Sequence, residues 1–312
     1  MAIGVLVGAY RDDPAPPEEL PMGRAALRLE ARGLAVVFGH EALEGRLIGL
    51  RPRPGGWVAS DTPVTGALDR FPSRSQADRY EALLAGLEGT PTFNGPAAIS
   101  ACADKLLCPQ LLTAPQPDTE GDPAAFAGRL AAWGVAFHKP RFGSFGSGVR
   151  RVLPSDPVPA MAEGLQGSEP AVLQRGVLPP EGWAGVACRV LVQRDGSGWW
   201  AGVPVARVSR TDAVVNAARG ADVHPLAELF PTAVAGVRAA AIQVAVDLDV
   251  ACGGVVELGV DVVLDEALTP WVVEVNGRPR GRLEAIARSD ADWMEAHVAA
   301  CVRPLVAVAG ST

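Results

Sequence analysis

The start of the chain alternates between strand-like and helix-like spacing of its apolar residues. Residues 3–7 form a short apolar run, residues 22–33 carry apolar positions at helical spacing and end on Gly33, and residues 34–40 form a second apolar run. This order predicts a strand, a helix and a second strand, which together make a βαβ unit. The turn after the first run lacks the GxGxxG spacing of a dinucleotide site, so we interpret the unit as scaffold or as part of a substrate site.

The pattern along the rest of the chain predicts a mixed α/β protein. The expected elements are short strands over 46–72, helices over 74–87, 96–112 and 123–133, a strand over 135–140, a strand over 171–177, further strands over 187–209, a long helix over 226–248 and a final strand pair over 254–276. No internal repeat interrupts this series.

Composition and charge narrow the class of ligand. The 312 residues are 48% hydrophobic, with 35 glycines and 27 prolines, which is typical of a compact α/β protein with many turns. A net charge of −7 argues against nucleic acid or an anionic membrane as the main partner and favours a small-molecule ligand. The five cysteines are scattered without CxxC spacing and no long uncharged apolar run occurs, so we expect a cytoplasmic protein.

Lysine is rare in this chain, and one lysine precedes a glycine-rich segment. Of the 28 basic residues only Lys105 and Lys139 are lysines. In the run VAFHKPRFGSFGSGV (135–149), Val135, Phe137 and Lys139 alternate onto one face of the predicted strand, where an ammonium is costly to bury unless an anion meets it. The glycine segment that follows, residues 143–148, allows backbone N–H groups to approach a polyphosphate. An ordinary glycine-rich hairpin is the alternative.

The last strand pair carries candidate metal ligands. If the hairpin over 254–276 is symmetric about its turn, Asp261 lies opposite Glu274, and Asn276 projects from the same face as Glu274. Two opposed carboxylates are destabilising unless a cation lies between them, and Mg²⁺ prefers this kind of oxygen ligand. In the alternative, a shifted register leaves the acids on an exposed edge. Glu257 is either a further ligand or a neighbour.

These motifs together resemble the ATP-grasp carboxylate–amine ligases. The resemblance spans about residues 90–285 and depends on KPRFGSFGSGV, LQRGV and WVVEVN in that order. Residues LDRFPS and TFNGPAAISACADK are similar to the YheC/YheD-type family, which is associated with spore coats. Ribosomal-protein glutamate ligases and glutathione synthases share the core motifs and remain competitors.

The resemblance implies a fold and a division of the chain. The expected architecture is an α+β ATP-grasp fold, in which an N-terminal Rossmann-like βαβ lobe precedes two α+β lobes that clasp the nucleotide. The implied domains are residues 1–92, the central lobe with its glycine lid over 93–172, and the metal-binding lobe over 173–312.

The resemblance also implies roles for individual residues. The nucleotide would be bound by Lys105, Lys139, Gly143, Ser144, Gly146, Ser147 and Gly148, and by the hinge segment Gln174, Arg175, Gly176 and Val177, whose backbone would pair with adenine. Lys105 and Lys139 would hold the α- and β-phosphates, Arg189 would stabilise charge on the γ-phosphoryl group, and Asn216 would help on the phosphate side. Arg189, Asn216 and Lys139 are the implied catalytic residues. Magnesium, or manganese, would be bound by Asp261, Glu274 and Asn276.

Arginines at three further positions are candidates for substrate contact. Arg278 and Arg280 stand where relatives carry small residues, and they either bind an acidic substrate or lie exposed on a polar loop. Arg207 either contacts substrate or forms a salt bridge at a strand edge.

The implied activity is ATP-dependent ligation of a carboxylate, on a small molecule or a peptide, to an amine, and a homodimer is possible. A kinase that releases its phosphorylated product and a protein that binds ATP without turnover are the alternatives.

Overall fold

Three β-sheets, each built from a separate stretch of the chain, carry the fold. The computed structural model describes residues 1–8, 14–71, 76–143, 146–164, 167–216, 220–279 and 293–311. Helices cover these sheets and connect them, so the protein is of mixed α+β class, as the sequence predicts.

The first sheet has the strand order β4-β3-β2-β1-β5-β6. Its elements are β1 (Ala2–Leu6), α1 (Pro21–Glu30), β2 (Ala35–Leu43), β3 (Arg46–Arg53), β4 (Gly56–Pro63), β5 (Ala67–Asp69), α2 (Ala77–Gly86) and β6 (Thr92–Phe93). Strand β1 pairs in parallel with β2 and β5. The predicted βαβ unit is confirmed.

The second sheet has the order β10-β11-β8-β9, with β7 paired to β11. Its elements and the helices before it are α3 (Pro96–Ala103), α4 (Leu107–Gln110), β7 (Thr119–Glu120), α5 (Phe126–Trp133), β8 (Ala136–Pro140), β9 (Arg150–Val152), β10 (Met161–Gly164) and β11 (Gly167–Arg175).

The single helix predicted over 96–112 is wrong, because the chain breaks at Asp104 and Lys105. Asp104 has extended backbone angles (φ −91°, ψ 107°), and its carboxylate accepts a hydrogen bond from the Leu106 N–H (2.9 Å) at the start of α4. An aspartate that satisfies the free N–H groups of a following helix favours a new helix start over continuation.

The third sheet has the order β15-β14-β12-β16-β17, with β13 paired to β12. Its strands and the described helices around it are β12 (Gly185–Asp195), β13 (Gly198–Ala201), β14 (Val205–Ser209), β15 (Asp222–Pro225), α6 (Leu226–Leu229), α7 (Val234–Cys252), β16 (Glu257–Leu264), β17 (Pro270–Asn276) and α8 (Trp293–Gly310).

The prediction of one long helix over 226–248 has the right start but is wrong about continuity and about the end. Helix α6 stops at Leu229, Pro231 opens a short 3-10 turn, and α7 then runs to Cys252. Proline lacks the N–H that a continuing helix would need, and it fits the first position of a new one. In the part of the chain that the structure describes, no helix combines the length and apolarity needed to cross a bilayer.

The C-terminal helix connects the first and third sheets. Leu305 and Val308 of α8 are buried in one cluster with Ile3 and Val5 of β1. The same helix also packs against β12. Residues near both ends of the described chain therefore hold these two sheets together.

The division of the chain into residues 1–92, 93–172 and 173–312 stays a proposal. Strand β11 continues past residue 172, the proposed end of the central lobe.

Candidate active site

A single large cleft is lined by residues of all three sheets. Its volume of about 1760 Å³ exceeds the roughly 300–1,000 Å³ of an ordinary small-molecule site. The described charged residues on its wall are the cations Arg70, Lys105, Lys139, Arg150, Arg151, Arg175, Arg189, Arg207 and Arg278 and the carboxylates Glu169, Asp212, Asp261 and Glu274. In a chain of net charge −7 this surplus of cations favours an anionic ligand.

Lys139 lies on β8 with its side chain on the cleft wall, as the strand pattern predicts. Its ammonium donates a hydrogen bond to Gln174 Oε1 (2.6 Å) on the neighbouring strand β11. Burial lowers the pKa of Lys139 to about 8, although the nearby Glu274 carboxylate favours the charged form. A phosphate at this position would restore the full charge, because an opposite charge favours the ammonium.

Lys105 lies in the break between α3 and α4 and reaches the glycine segment. Its ammonium donates to the carbonyl oxygen of Gly143. The neighbouring Asp104 accepts two hydrogen bonds from the Arg141 guanidinium (2.8 and 2.6 Å). The helix break that the sequence pattern missed therefore places the second lysine at the same cleft.

The glycine segment has the backbone that a close approach requires. Gly146 and Gly148 have φ of +70° and +68°, a region that residues with side chains rarely adopt, and a Cβ on Gly148 would overlap the Glu163 carbonyl oxygen. A Cβ on Gly146 would lie 3.2 Å from Asn216 Nδ2, so Asn216 faces this segment. Ser147 is half-buried here, and Ser144 lies outside the described residues.

All four residues of the hinge segment lie on the cleft wall. The N–H groups of Arg175 and Gly176 donate to the carbonyl oxygens of Asp118 (2.8 Å) and Val135 (2.9 Å). These two N–H groups are therefore engaged within the protein, and the pairing of this segment with a base stays a prediction.

The predicted register of the last hairpin is confirmed. Asp261 of β16 lies opposite Glu274 of β17, and Asn276 lies opposite Gly259. A bulge between Asp261 and Val262 shifts the pairs nearer the turn by one position. The bulge occurs directly beside Asp261, where such irregularities commonly reorient a side chain.

Asp261 is held by two arginines from neighbouring strands. Arg189 of β12 binds it with two hydrogen bonds, one of 2.7 Å to Oδ1, and Arg207 of β14 donates to the same oxygen at 2.7 Å. Burial alone would raise the pKa of Asp261, but the two guanidiniums together hold it below its usual value. Arg207 thus forms the strand salt bridge that the sequence left open, while still lining the cleft.

The donor atoms fit a hard divalent cation. Glu274 and Asn276 both line the cleft, and among the described residues Asn276 Oδ1 accepts a hydrogen bond from the Arg278 N–H (2.9 Å), so its second lone pair can accept another. Within the described ranges no group of three His, Cys, Asp or Glu side chains is placed to hold a metal. The ligand set predicted from the sequence, two carboxylates and an amide, therefore stays a prediction, with Asp261 bound by its two arginines.

Arg278 and Arg70 each pair with a buried carboxylate across lobes. Arg278 donates to Asp69 of β5 (2.8 Å), and Arg70 donates to Glu257 of β16 (2.6 Å). Glu257 is therefore a structural neighbour of the site, and the sequence did not indicate its partner. Arg280 lies outside the described residues.

Asn94 is a positioning residue that the sequence analysis missed. Its amide donates to the carbonyl oxygens of Glu257 (2.5 Å) and Gly277 (2.7 Å), and its oxygen accepts from the Val256 N–H (2.8 Å). Asn94 is fully buried with φ of +51°, a conformation that asparagine tolerates better than most residues. It therefore holds the start of β16 against the loop that follows Asn276.

The chain resembles known proteins in sequence over part of its length and in fold over nearly all of it. A family model described as YheC/D like ATP-grasp matches residues 161–297, a range that contains Arg189, Arg207, Asp261, Glu274 and Asn276. No curated protein sequence gave a significant match. Among solved structures, D-alanyl-alanine synthetase A from Vibrio cholerae superimposes with a TM-score of 0.55 at 15% identity, over 96% of this chain and 98% of that one.

Two further structures superimpose over nearly the whole chain. A RimK domain ATP-grasp protein from Sphaerobacter thermophilus gives a TM-score of 0.53 at 23% identity, covering 97% of this chain and 98% of that one. The ATP-grasp ligase PsnB, complexed with minimal precursor, Mg and ADP, gives 0.57 at 18% identity, covering 96% and 97%. The chain has the ATP-grasp fold. The predicted resemblance to ATP-grasp proteins is therefore confirmed for the fold, and the YheC/D-like family model matches residues 161–297.

Proposed function

We propose that the protein is an ATP- and magnesium-dependent ligase that activates a substrate carboxylate and joins it to an amine. The observation that supports this best is the convergence, in one cationic cleft, of two lysines, a glycine segment with positive φ and the opposed pair Asp261 and Glu274. The fold is shared with ATP-grasp ligases, one of which is complexed with Mg and ADP.

The chain's own residues bind and orient the reactants. Lys105 and Lys139 neutralise the polyphosphate, and the glycine segment closes over it and excludes water that would hydrolyse an acylphosphate. The hinge segment binds the base, with Asn216 on the phosphate side. Arg189 stabilises charge on the transferred phosphoryl group from its position beside Asp261.

Glu274 and Asn276, with Asp261, would hold magnesium or manganese. Such an ion, when bound, supplies charge neutralisation at the phosphates. The proposed reaction uses no side-chain nucleophile. The substrate carboxylate attacks the γ-phosphoryl group with ADP as the leaving group, and the amine then attacks the acylphosphate, which forms the amide and releases phosphate and a proton.

The test combines the protein with ATP, Mg²⁺ and a panel of carboxylates in the presence of hydroxylamine. A hydroxamate with stoichiometric ADP supports the ligase. A stable phosphorylated product would instead indicate a kinase, and nucleotide binding with no ADP from any carboxylate would indicate a binding protein.

Matched variants show whether the proposed site is responsible. Lys139→Met should abolish hydroxamate formation. The same substitution at Arg46, which pairs with exposed Asp61 and is not among the residues that line the cleft, should leave it unchanged. Equal activity in both variants would place the chemistry elsewhere.

A further inference from the structure

The conformation of Asn276, a predicted metal ligand, depends on the two residues that follow it. Asn276 Oδ1 accepts a hydrogen bond from the Arg278 N–H (2.9 Å), which closes an Asx turn over residues 276–278. The turn fixes the Asn276 side chain relative to the backbone of residues 277 and 278. Whatever holds these two residues therefore also orients the amide of Asn276.

The contacts that hold residues 277 and 278 come from outside the third sheet. Asn94, which follows β6 of the first sheet, donates to the Gly277 carbonyl oxygen (2.7 Å). Gly277 also packs on α3, where a Cβ would lie only 2.9 Å from Ile99 Cδ1. The Arg278 guanidinium donates to Asp69 Oδ2 (2.8 Å) at the end of β5. The Asx turn is thus anchored to the first sheet at two successive residues.

Asp69 is a rigid anchor that cannot itself contact a ligand in the cleft. It is 0% exposed, and its Oδ1 accepts a hydrogen bond from the Phe71 N–H (2.9 Å). Its Oδ2 accepts from the Tyr80 hydroxyl as well as from Arg278. A buried carboxylate with three donors has a fixed position, because satisfied polar networks in the interior are rigid. Any effect of Asp69 on the cleft must therefore act through Arg278, which lines it.

A second ion pair connects the same two sheets without contacting the Asx turn. Arg70, the neighbour of Asp69, donates to Glu257 at the start of β16 (2.6 Å). The other side-chain partner of Glu257 in the described chain is Gln193 of β12. Both ion pairs are between lobes and both have a fully buried carboxylate, but only that of Asp69 includes a residue of the turn.

We propose that Asp69 is a positioning residue for the metal site, because its hold on Arg278 keeps residues 276–278 in the conformation that presents Asn276 to the ion. Groups that orient a metal ligand typically change metal affinity about 10- to 100-fold when they are removed. Arg278 is then a connection between lobes and not the substrate contact considered from the sequence. This inference rests on the proposed function, since it assigns Asn276 to the magnesium site of that ligase.

The experiment measures the affinity for a non-hydrolysable ATP analogue by calorimetry, with excess Mn²⁺ and separately with EDTA. Asp69→Asn should lower the affinity in Mn²⁺ about tenfold or more and leave the affinity in EDTA unchanged. Arg278→Gln should give the same selective loss. This second variant leaves Asp69 its bonds to Tyr80 and to the Phe71 N–H, so it tests the proposal even where Asp69→Asn does not fold.

Glu257→Gln is the matched control, because it alters the other ion pair between lobes and should change neither affinity. Hydrogen exchange of the protein without nucleotide or metal gives an independent measurement. The Arg278 amide should exchange faster in Asp69→Asn than in the wild type and at the wild-type rate in Glu257→Gln, since only the first variant releases the turn.

Three results would overturn the proposal. The first is an equal loss of affinity in Mn²⁺ and in EDTA, which indicates a general loss of stability. The second is the same selective loss in Glu257→Gln, which indicates an effect of any contact between the lobes. The third is wild-type affinity in Mn²⁺ for Arg278→Gln, which shows that the metal site does not depend on this arginine.

The hydroxamate assay separates this proposal from the ligase function. Hydroxamate from the wild type, with no selective loss in Asp69→Asn, would support the ligase and refute the positioning role. A selective loss without ADP formation from any carboxylate would support the positioning role and refute the ligase. A wild-type affinity that is the same in Mn²⁺ and in EDTA would refute the metal site on which both depend.

Discussion

Glu257 and Asp261 lie on the same face of one strand, yet the pKa values of their carboxyl groups are shifted in opposite directions. Both are buried, with 0% and 5% of their surfaces exposed. Burial dominates at Glu257 and raises its pKa, because Arg70 offsets only part of the cost. At Asp261 the cost of burial is exceeded by Arg189 and Arg207, and the pKa is lowered. The number of guanidiniums, and not depth alone, therefore sets the direction of each pKa shift.

The surroundings of the two carboxylates also differ. The ion pair of Arg70 and Glu257 connects the segment after β5 of the first sheet with β16 of the third. Asp261 lies opposite Glu274 of β17, so its two guanidiniums face two carboxylates. Asp261 and Glu274 line the cleft, whereas Glu257 is not among the described residues on its wall.

Among the variants that test this comparison, Asp261→Asn should lower the free energy of unfolding the most. The variant keeps the shape of the side chain but removes the charged partner of the buried Arg207 and of the partly buried Arg189, which costs about 3–5 kcal/mol in the free energy of unfolding. Urea denaturation at pH 7 measures it.

The matched control is Asp61→Asn, which removes an exposed partner of Arg46 and should cost about 0–1 kcal/mol. If the two variants lose the same stability, the Asp261 cluster does not carry the buried charge that the structure indicates.

The sequence predicted local features of the site well. The register that sets Asp261 opposite Glu274 follows from a short hairpin whose turn is held by Asp265, which accepts from the Ala267 and Thr269 N–H groups. Strand alternation likewise placed Lys139 on the cleft wall. Such features depend on neighbours within a few residues, so the pattern of the chain contains them.

Long-range pairs could not be predicted in the same way. Arg70 binds Glu257 across 187 residues and Arg278 binds Asp69 across 209. Nothing in the local spacing of these residues indicates a partner, because the pairing depends on how the first and third sheets pack. The break between α3 and α4 at Asp104 was missed for a different reason. An aspartate before a second helical run is a local signal of a helix start, but the apolar residues that continue on both sides of it favoured one long helix.

Lys139→Met extends the comparison to a partly buried cation that, among the described residues, has no carboxylate in direct contact. We expect the affinity for a non-hydrolysable ATP analogue to fall about 10- to 100-fold, since a charge-assisted contact is worth about 1.5–3 kcal/mol. In the wild type, affinity should also decrease as pH rises through about 8, because the ammonium then loses its proton. In the variant this decrease should disappear.

Calorimetry between pH 6.5 and 9 gives both quantities, with Arg46→Met as the control. An affinity that depends equally on pH in the variant would show that another group titrates.

As pH rises, Glu257→Gln should gain stability relative to the wild type, whereas Asp261→Asn should lose it. A raised pKa means that the folded state holds its proton longer than the unfolded state, so the wild type loses stability above the usual glutamate pKa of about 4.3. The variant cannot ionise and avoids this loss, which amounts to about 1.4 kcal/mol for each pH unit between the two pKa values. Urea denaturation from pH 4 to 8 should therefore show the variant gaining on the wild type, and a constant difference would contradict the raised pKa.

Arg207→Gln converts the Asp261 cluster into the one-to-one arrangement of Glu257. Gln can still donate to Asp261, so the cost at pH 7 should be only about 0.5–1.5 kcal/mol. Because Asp261 has a lowered pKa in the fold, its stabilising effect is present above the unfolded value of about 3.9 and is lost as pH falls through the folded value. With one guanidinium fewer the pKa is lowered less, so the stability difference between wild type and variant should shrink as pH falls below about 3.9. A difference that stays constant down to pH 3 would mean that Arg207 contributes by packing alone and does not help to keep Asp261 charged.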